Sequence, residues 1–365
     1  MILNMYKILP GILVSFIIAL SGIYLSSFIG TDILNLKKSP ISPIMLSIII
    51  GLIIGNIFKI PKIFSEGISF SLKFILRLGI VFLGIRLGLL DILKVGLVGI
   101  PLIISCIIIS ILIVNFLCKL LNVSEKMGSL IAVGTSICGA TAIVATSPAI
   151  NANKEEVTYA IANITIFGII AMLFYPFLAH YLFNGDELSI GLFLGTSIHE
   201  TAQVAGAGLI YSEQFSSPQT MDIATITKLV RNISMVVIIP VISYLYLNKK
   251  NISKKNVSLS MLSIFPIFII GFIFMGVIRS IGDYGINNTQ LAYGVFDENR
   301  WSKIIYIIRS LAEYSLAIAM AAVGISTNLM SLKNLGIRPF YVGFSAALCV
   351  GLVSFFGVTI INYLI

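Results

Sequence analysis

The chain has 365 residues, 58% of them hydrophobic and 11% charged, with a formal net charge of +9 and a mean hydropathy of +1.05. A soluble domain carries about 25% charged residues, so this composition excludes one, and with it the nucleic-acid reading that the net charge would otherwise invite. The length is better divided into apolar spans of about 20 residues each, with basic loops against anionic lipid headgroups.

Taken in chain order, about 11 apolar segments appear, at 8–29, 42–58, 68–90, 95–118, 128–150, 157–182, 188–210, 223–247, 262–280, 302–328 and 336–363. The first reads as a leading helix, because it is long for the apolar region of a cleaved signal peptide. Each is near the length of a tilted transmembrane helix. The connections are short, and the two longest polar stretches, 248–261 and 282–301, read as solvated loops. Lys249, Lys250, Lys254 and Lys255 form the densest basic cluster. Placing them in the cytoplasm biases Lys and Arg by 11 to 7 towards that side, which favours a cytoplasmic N-terminus and an outside C-terminus.

Segment 68–90 carries Lys73 and Arg77 on one helical face, with Arg86 on the opposite side. The guanidinium fork of Arg77 or Arg86 suits an oxyanion, whereas Lys73 also fits snorkelling to headgroups. Segment 128–150 contains GTSICGATAIVATSP, with Ser136, Cys138, Gly139 and Thr141 near its centre and Pro148 near its end. Glycine and proline weaken a helix. A mid-membrane break would expose N–H groups that attract anions. Close packing through small residues is the competing account.

Segment 188–210 repeats the letters GTSI 61 residues later and continues HETAQVAGAG. His199 and Gln203 share a helical face and Glu200 lies about 100° away. A desolvated Glu200 can carry a coupling proton and His199 can relay it; a structural polar network is the alternative. HETAQ lacks the second histidine of the HExxH metalloprotease motif. Segment 223–247 begins with Lys228 and Arg231 on one face. Segment 302–328 holds a possible intrahelical pair, Arg309 with Glu313, and ends AMAAVGISTN. There Ser326, Thr327 and Asn328 either contribute to a site or end the helix. Near these segments cations outnumber the one clear acid, Glu200, which favours an anionic substrate.

Four cysteines, Cys106, Cys118, Cys138 and Cys349, form no CxxC pair, and His180 and His199 are the only histidines. No disulfide framework, metal or cofactor is expected. The internal symmetry is mixed. GTSI recurs at an offset of 61, while Gly84, Ile85, Leu89 and Gly96 match Gly324, Ile325, Leu329 and Gly336 at an offset of 240. The count suggests one leading helix (1–30) and two inverted units of five, at about 42–182 and 188–365, in a single membrane domain. That scheme pairs segment 128–150 with segment 302–328.

The stretches LRLGIVFLGIRLG (76–88), GTSICGATAIVATSP (134–148), GTSIHETAQVAGAG (195–208), KLVR (228–231) and AMAAVGISTNLMSLKNLG (319–336) together resemble the bacterial UPF0324, or YeiH-like, membrane proteins, a family also labelled as sulfate exporters. The resemblance covers nearly the whole chain. It implies a multi-pass protein of the bacterial inner (plasma) membrane and strengthens the oxyanion reading. By analogy of fold it also implies the crossed broken helices of bile-acid and carboxylate transporters. Members of that family can carry glutamate at the place of Ser147, so no carboxylate role exists there.

The expectation is an all-α polytopic membrane protein of about 11 transmembrane helices, a 1+5+5 inverted-repeat transporter with broken helices and no enzyme. Arg77, Arg86, Ser136, Cys138, Gly139, Thr141, Gln203, Lys228, Arg231 and Thr327 are the expected binding residues for a small anion, sulfate or another sulfur-containing oxyanion. His199 and Glu200 are expected to couple protons. The expected partners are the lipid bilayer, the anion, protons and, in a homodimer, a second copy of the chain. A cation/proton antiporter and a non-transporting membrane sensor remain as alternatives.

Overall fold

Long runs of Ile, Leu and Phe without water leave the backbone one economical solution, in which each N–H and C=O is paired within its own helix. The computed structural model describes residues 2–34, 39, 41–249, 266–328 and 337–364, and they are almost entirely helical. In chain order the helices are α1 (Ile2–Ser27), α2 (Pro43–Ile57), α3 (Lys62–Phe70), α4 (Leu76–Leu83), α5 (Leu89–Leu120), α6 (Glu125–Ser136), α7 (Ala140–Thr146), α8 (Lys154–Leu182), α9 (Glu187–Ser197) and α10 (Thr201–Phe215). They continue with α11 (Pro218–Ile233), α12 (Met235–Lys249), α13 (Phe268–Thr289), α14 (Glu298–Ser326) and α15 (Ile337–Leu364).

All 11 apolar segments contain helix, but fewer are long, continuous and apolar enough to cross a bilayer. Among the described residues seven qualify, and eight if α11 and α12, bent by 40°, form one span. The shortfall has physical causes. The 15 residues of α2 extend only about 22 Å against a hydrocarbon core of about 30 Å. Segments 128–150 and 188–210 are each interrupted. Segment 302–328 is not: its alanine-rich sequence runs as one helix to Ser326, and Thr327 only closes it.

The expected loop at 282–301 shrinks to a two-stranded antiparallel hairpin, Leu291–Ala292 with Phe296–Asp297. Polar residues on both sides stay helical. Arg279 and Asp283 pair at 2.5 Å one turn apart, and Asp297 caps α14 by accepting from the N–H of Arg300 at 2.8 Å. The basic cluster on which the orientation rests falls largely at 250–265, and Leu329 and Gly336 of the second internal match at 329–336; both stretches lie outside the described residues.

The contacts divide the chain into two compact units. Unit 1 comprises Met1–Leu97, Leu209–Asp222 and Ile267–Asn328; unit 2 comprises Val98–Gly208, Ile223–Pro266 and Leu329–Ile365. Each unit draws segments from both 42–182 and 188–365. Helices α5, α10 and α11 contribute to both units.

Unit 1 packs its helices through small residues. A side chain on Gly11 of α1 would strike the backbone of α3 at Gly67; one on Gly51 of α2 would strike that of α14 near Gly324. With lipid outside as apolar as leucine, such close backbone approach supplies the van der Waals contact that holds the helices together. A small cluster of Ile85, Ala292, Trp301 and Ile305 closes the hairpin end.

Unit 2 has a larger core, in which Val114, Leu130, Val133, Ile137, Tyr159 and Val342 are among the buried members. The repeated GTSI motif ends a helix inside this unit twice.

Candidate functional site

Helix α6 ends on Gly134-Thr135-Ser136. Ile137 turns out of helical geometry at φ −122° and ψ −91°, and α7 restarts at Ala140. The link passes through Gly139 at φ +70° and ψ −129°, a conformation that side chains disfavour. Helix α9 ends on the matching Gly195-Thr196-Ser197, its cap Ile198 is extended at φ −88° and ψ 139°, and α10 restarts at Thr201. The GTSI repeat therefore marks two equivalent breaks, each with three linking residues.

Such a break strands the carbonyls of the last helical turn and gathers partial negative charge there. Helix α11 answers with two cations one turn apart. Lys228 and Arg231 are both fully buried. The Lys228 ammonium donates to Ile137 O and Ile198 O, each at 2.9 Å, and to His199 O. Arg231 donates from Nε to Ser136 O at 2.9 Å, from Nη1 to Thr196 O at 2.6 Å and Ile198 O at 3.3 Å, and from Nη2 to Thr135 O. One lysine and one arginine thus tie the ends of α6 and α9 together. Several kcal/mol of desolvation are spent on each ion, and charge-assisted bonds to groups that would otherwise be orphaned offset it.

Three polar side chains hold the restarts. Glu200, half-buried, accepts from the Ala140 N–H at the start of α7, through Oε1 at 3.1 Å. Its own N–H donates to Gln203 Oε1 at 3.2 Å, and Gln203 Nε2 donates to Thr165 O at 3.1 Å. Asn232 Nδ2 donates to Thr201 Oγ1 at 2.9 Å. A side chain on Gly139 would strike Glu200. Four buried atoms here have no hydrogen-bond partner among the described residues: Thr135 Oγ1, Ser136 Oγ, His199 Nδ1 and Asn232 Oδ1. Buried unpaired polar atoms cost about 1–3 kcal/mol each, so such a concentration is unusual outside a functional site.

Of the expected site residues, Ser136, Cys138, Gly139, His199, Glu200, Gln203, Lys228 and Arg231 meet at these breaks. Cys138 faces the core, its thiol 3.1 Å from Met235 Sδ, and Thr141 is exposed on α7. The other three belong to unit 1. Arg77 is exposed and lies 5.9 Å from the centre of the Phe268 ring. Thr327 bonds back to Val323 O at 2.7 Å in its own helix. Arg86 is buried in an ion pair with Asp222 at 2.9 Å and reaches Glu313 Oε1 at 3.3 Å. Glu313 is therefore engaged by Arg86, and Arg309, one turn away as expected, attracts it electrostatically without a direct bond from its Nε, which is buried with no hydrogen-bond partner among the described residues.

Sequence reasoning missed Asp222, Asn232 and the carbonyl acceptors. Asp222 carried a signal, an acid on the same helix as Lys228 and Arg231. The carbonyls carried none, because every residue has one.

Discontinuous helices closed by buried cations, with seven or eight helices among the described residues long and apolar enough to span a bilayer, define a polytopic α-helical membrane protein. The family model described as "Conserved hypothetical protein 698" matches residues 10–343. A UPF0324 membrane protein of Fusobacterium nucleatum is 34% identical over 350 residues, covering 95% of this chain and 96% of the relative. One from Streptococcus agalactiae is 32% identical over 346 residues, 95% of each chain, and one from Clostridium tetani is 30% identical over 322 residues, 85% and 86%. The chain belongs to the UPF0324 family of membrane proteins. No solved structure matches it.

Proposed function

We propose that this protein is a secondary transporter, not an enzyme, that moves a small anion across the bacterial inner membrane together with a proton. The anion is sulfate or another sulfur-containing oxyanion. The observation that carries this reading is the charge balance at the two breaks. Lys228 and Arg231 supply two positive charges and Glu200 one negative charge. Each helix end contributes about half a charge, and the two C-termini and two N-termini cancel. The sum is about +1, rising to about +2 when Glu200 is protonated, so an anion and a proton favour each other's binding.

The same geometry weighs against a cation/proton antiporter. The carbonyl ends of broken helices are where transporters coordinate Na⁺, and here built-in cations occupy them. The unpartnered hydroxyls of Thr135 and Ser136 are donors suited to an oxyanion. The finer fold reading, 11 spans in a 1+5+5 inverted repeat, also belongs to this proposal. The equivalent breaks favour pairing segment 128–150 with segment 188–210 in place of segment 302–328.

The test is uptake of labelled sulfate by vesicles holding the purified protein, with and without a pH gradient, with sulfite and small sulfonates as competitors. Saturable flux driven by the gradient in wild type, and uncoupled from it in Glu200→Gln, is the expected result. Absence of flux for all these anions in folded protein refutes the reading, as does Na⁺- or K⁺-dependent transport that ignores them.

A further inference from the structure

Unit 1 exposes two cations at a depth where a lipid-facing helix carries none. Helices α3 and α4, joined by a π-helical turn at Ser71–Ile75, run as one 25-residue span from Lys62 to Arg86. Lys73 and Arg77 lie one turn apart on its exposed side. Lys73 is about 16 Å along the axis from the first residue of the span, and Arg77 about 13 Å from the last. A side chain on Gly79, two residues on, would strike Leu316 and the carbonyl of Ala312, midway along α14. Both cations therefore sit well inside a hydrocarbon layer of about 30 Å. Snorkelling to the headgroups accounts for cations near helix ends, not for a pair at this depth.

Among the described residues neither cation forms an ion pair or a hydrogen bond. Arg77 has only the face of the Phe268 ring, 5.9 Å away. Arg86, Arg279, Lys228 and Arg231 by contrast all have oxygen partners. Glu66, the one acid on α3 and α4, is about 10 Å further along the axis than Lys73. An ionisable side chain at membrane depth faces protein or water and marks the path of an ion or substrate. These two do not face protein. The π-helical turn that holds Lys73 is a second, independent mark, because single π turns recur at functional sites.

We propose that Lys73 and Arg77 form an anion-binding face on the wall of a water-filled passage, a stop on the route of a small oxyanion. Cβ atoms one turn apart are separated by about 5–6 Å, so the ammonium and the guanidinium can grip one tetrahedral oxyanion together. The guanidinium fork supplies two parallel N–H bonds and the ammonium a point charge. That the face is a stop on a transport route rests on the function proposed above; that it faces water and holds an anion does not.

The experiment uses the full chain in lipid vesicles, with Lys73→Cys and Arg77→Cys each challenged by two water-soluble thiol reagents, one anionic and one cationic. The native cysteines are buried or half-buried, and wild type gives the background. Both introduced thiols are expected to react at least about tenfold faster than that of Ile104→Cys, an exposed position in the apolar middle of α5. Sulfate is expected to slow the anionic reagent. Adding Arg77→Met to Lys73→Cys is expected to lower the ratio of anionic to cationic rates by about tenfold, the effect of losing one nearby unit charge. Reaction no faster than at Ile104→Cys at both positions overturns the proposal, since lipid or a second copy of the chain then covers the face. Reaction indifferent to sulfate and to the charge of the reagent overturns it equally. If wild type moves no sulfate, the transport reading fails, while the reagent rates still decide whether the anion-binding face exists.

Discussion

Replacing Lys228 by methionine keeps an unbranched, buried side chain of similar length and removes only the ammonium. Three acceptors then lose a donor: Ile137 O, Ile198 O and His199 O. At about 1–3 kcal/mol for each buried carbonyl left unpaired, the gross loss is about 3–9 kcal/mol. Two effects reduce it. The variant no longer desolvates a cation, which returns several kcal/mol, and Ile198 O keeps its bond from Arg231 at 3.3 Å. The net expectation is about 3 kcal/mol of destabilisation, within the range found when one partner of a buried charged pair is removed.

Melting of purified Lys228→Met, beside the exposed control Lys73→Met, measures this directly. Arg231→Met is expected to behave similarly, and the double variant to lose more than the sum of the singles. Only in the double variant does Ile198 O lose both donors, so the two sites couple. A Lys228→Met protein that melts with wild type would refute the reasoning, because the breaks would then be held by packing alone.

Two further outcomes follow from the same geometry. Gly139→Ala places a side chain against Glu200 at a backbone of φ +70°, and about 1–3 kcal/mol of strain is expected; lower melting, with transport impaired more than in Thr141→Ala, checks it. Asp222→Asn takes from the buried Arg86 the nearer of its two carboxylates and leaves it Glu313 at 3.3 Å, so a loss of about 3 kcal/mol, the low end for breaking a buried pair, is expected; replacing both by apolar residues of similar volume should recover most of it, and a double variant no better than the single would count against the pair.

The sequence was informative wherever chemistry is written in side chains. The excess of apolar runs announced a helical membrane protein, because helices are what hydrophobic segments become without water. GTSI and its recurrence pointed to both breaks, since small and β-hydroxyl residues weaken a helix locally. Lys228 and Arg231 stood out as charges in apolar surroundings. Ser326 to Asn328 looked like the same signal and were not: helix-forming alanines before them carry α14 through to its end.

What the sequence by itself determined was the class of the protein, its helical segments and the cluster of unusual residues at 134–141, 195–203 and 228–231. Only the tertiary structure decided what those residues face. Acceptors on the backbone are identical at every position, so nothing in the letters shows that Lys228 and Arg231 serve carbonyls of Thr135, Ser136, Ile137, Thr196, Ile198 and His199. Nor could they show that Arg86 is claimed by Asp222, 136 positions away. Helix-forming tendency is local and survives in a one-dimensional reading. The pairing of buried charges depends on which helices pack together, and that is settled by contacts between segments far apart in the chain.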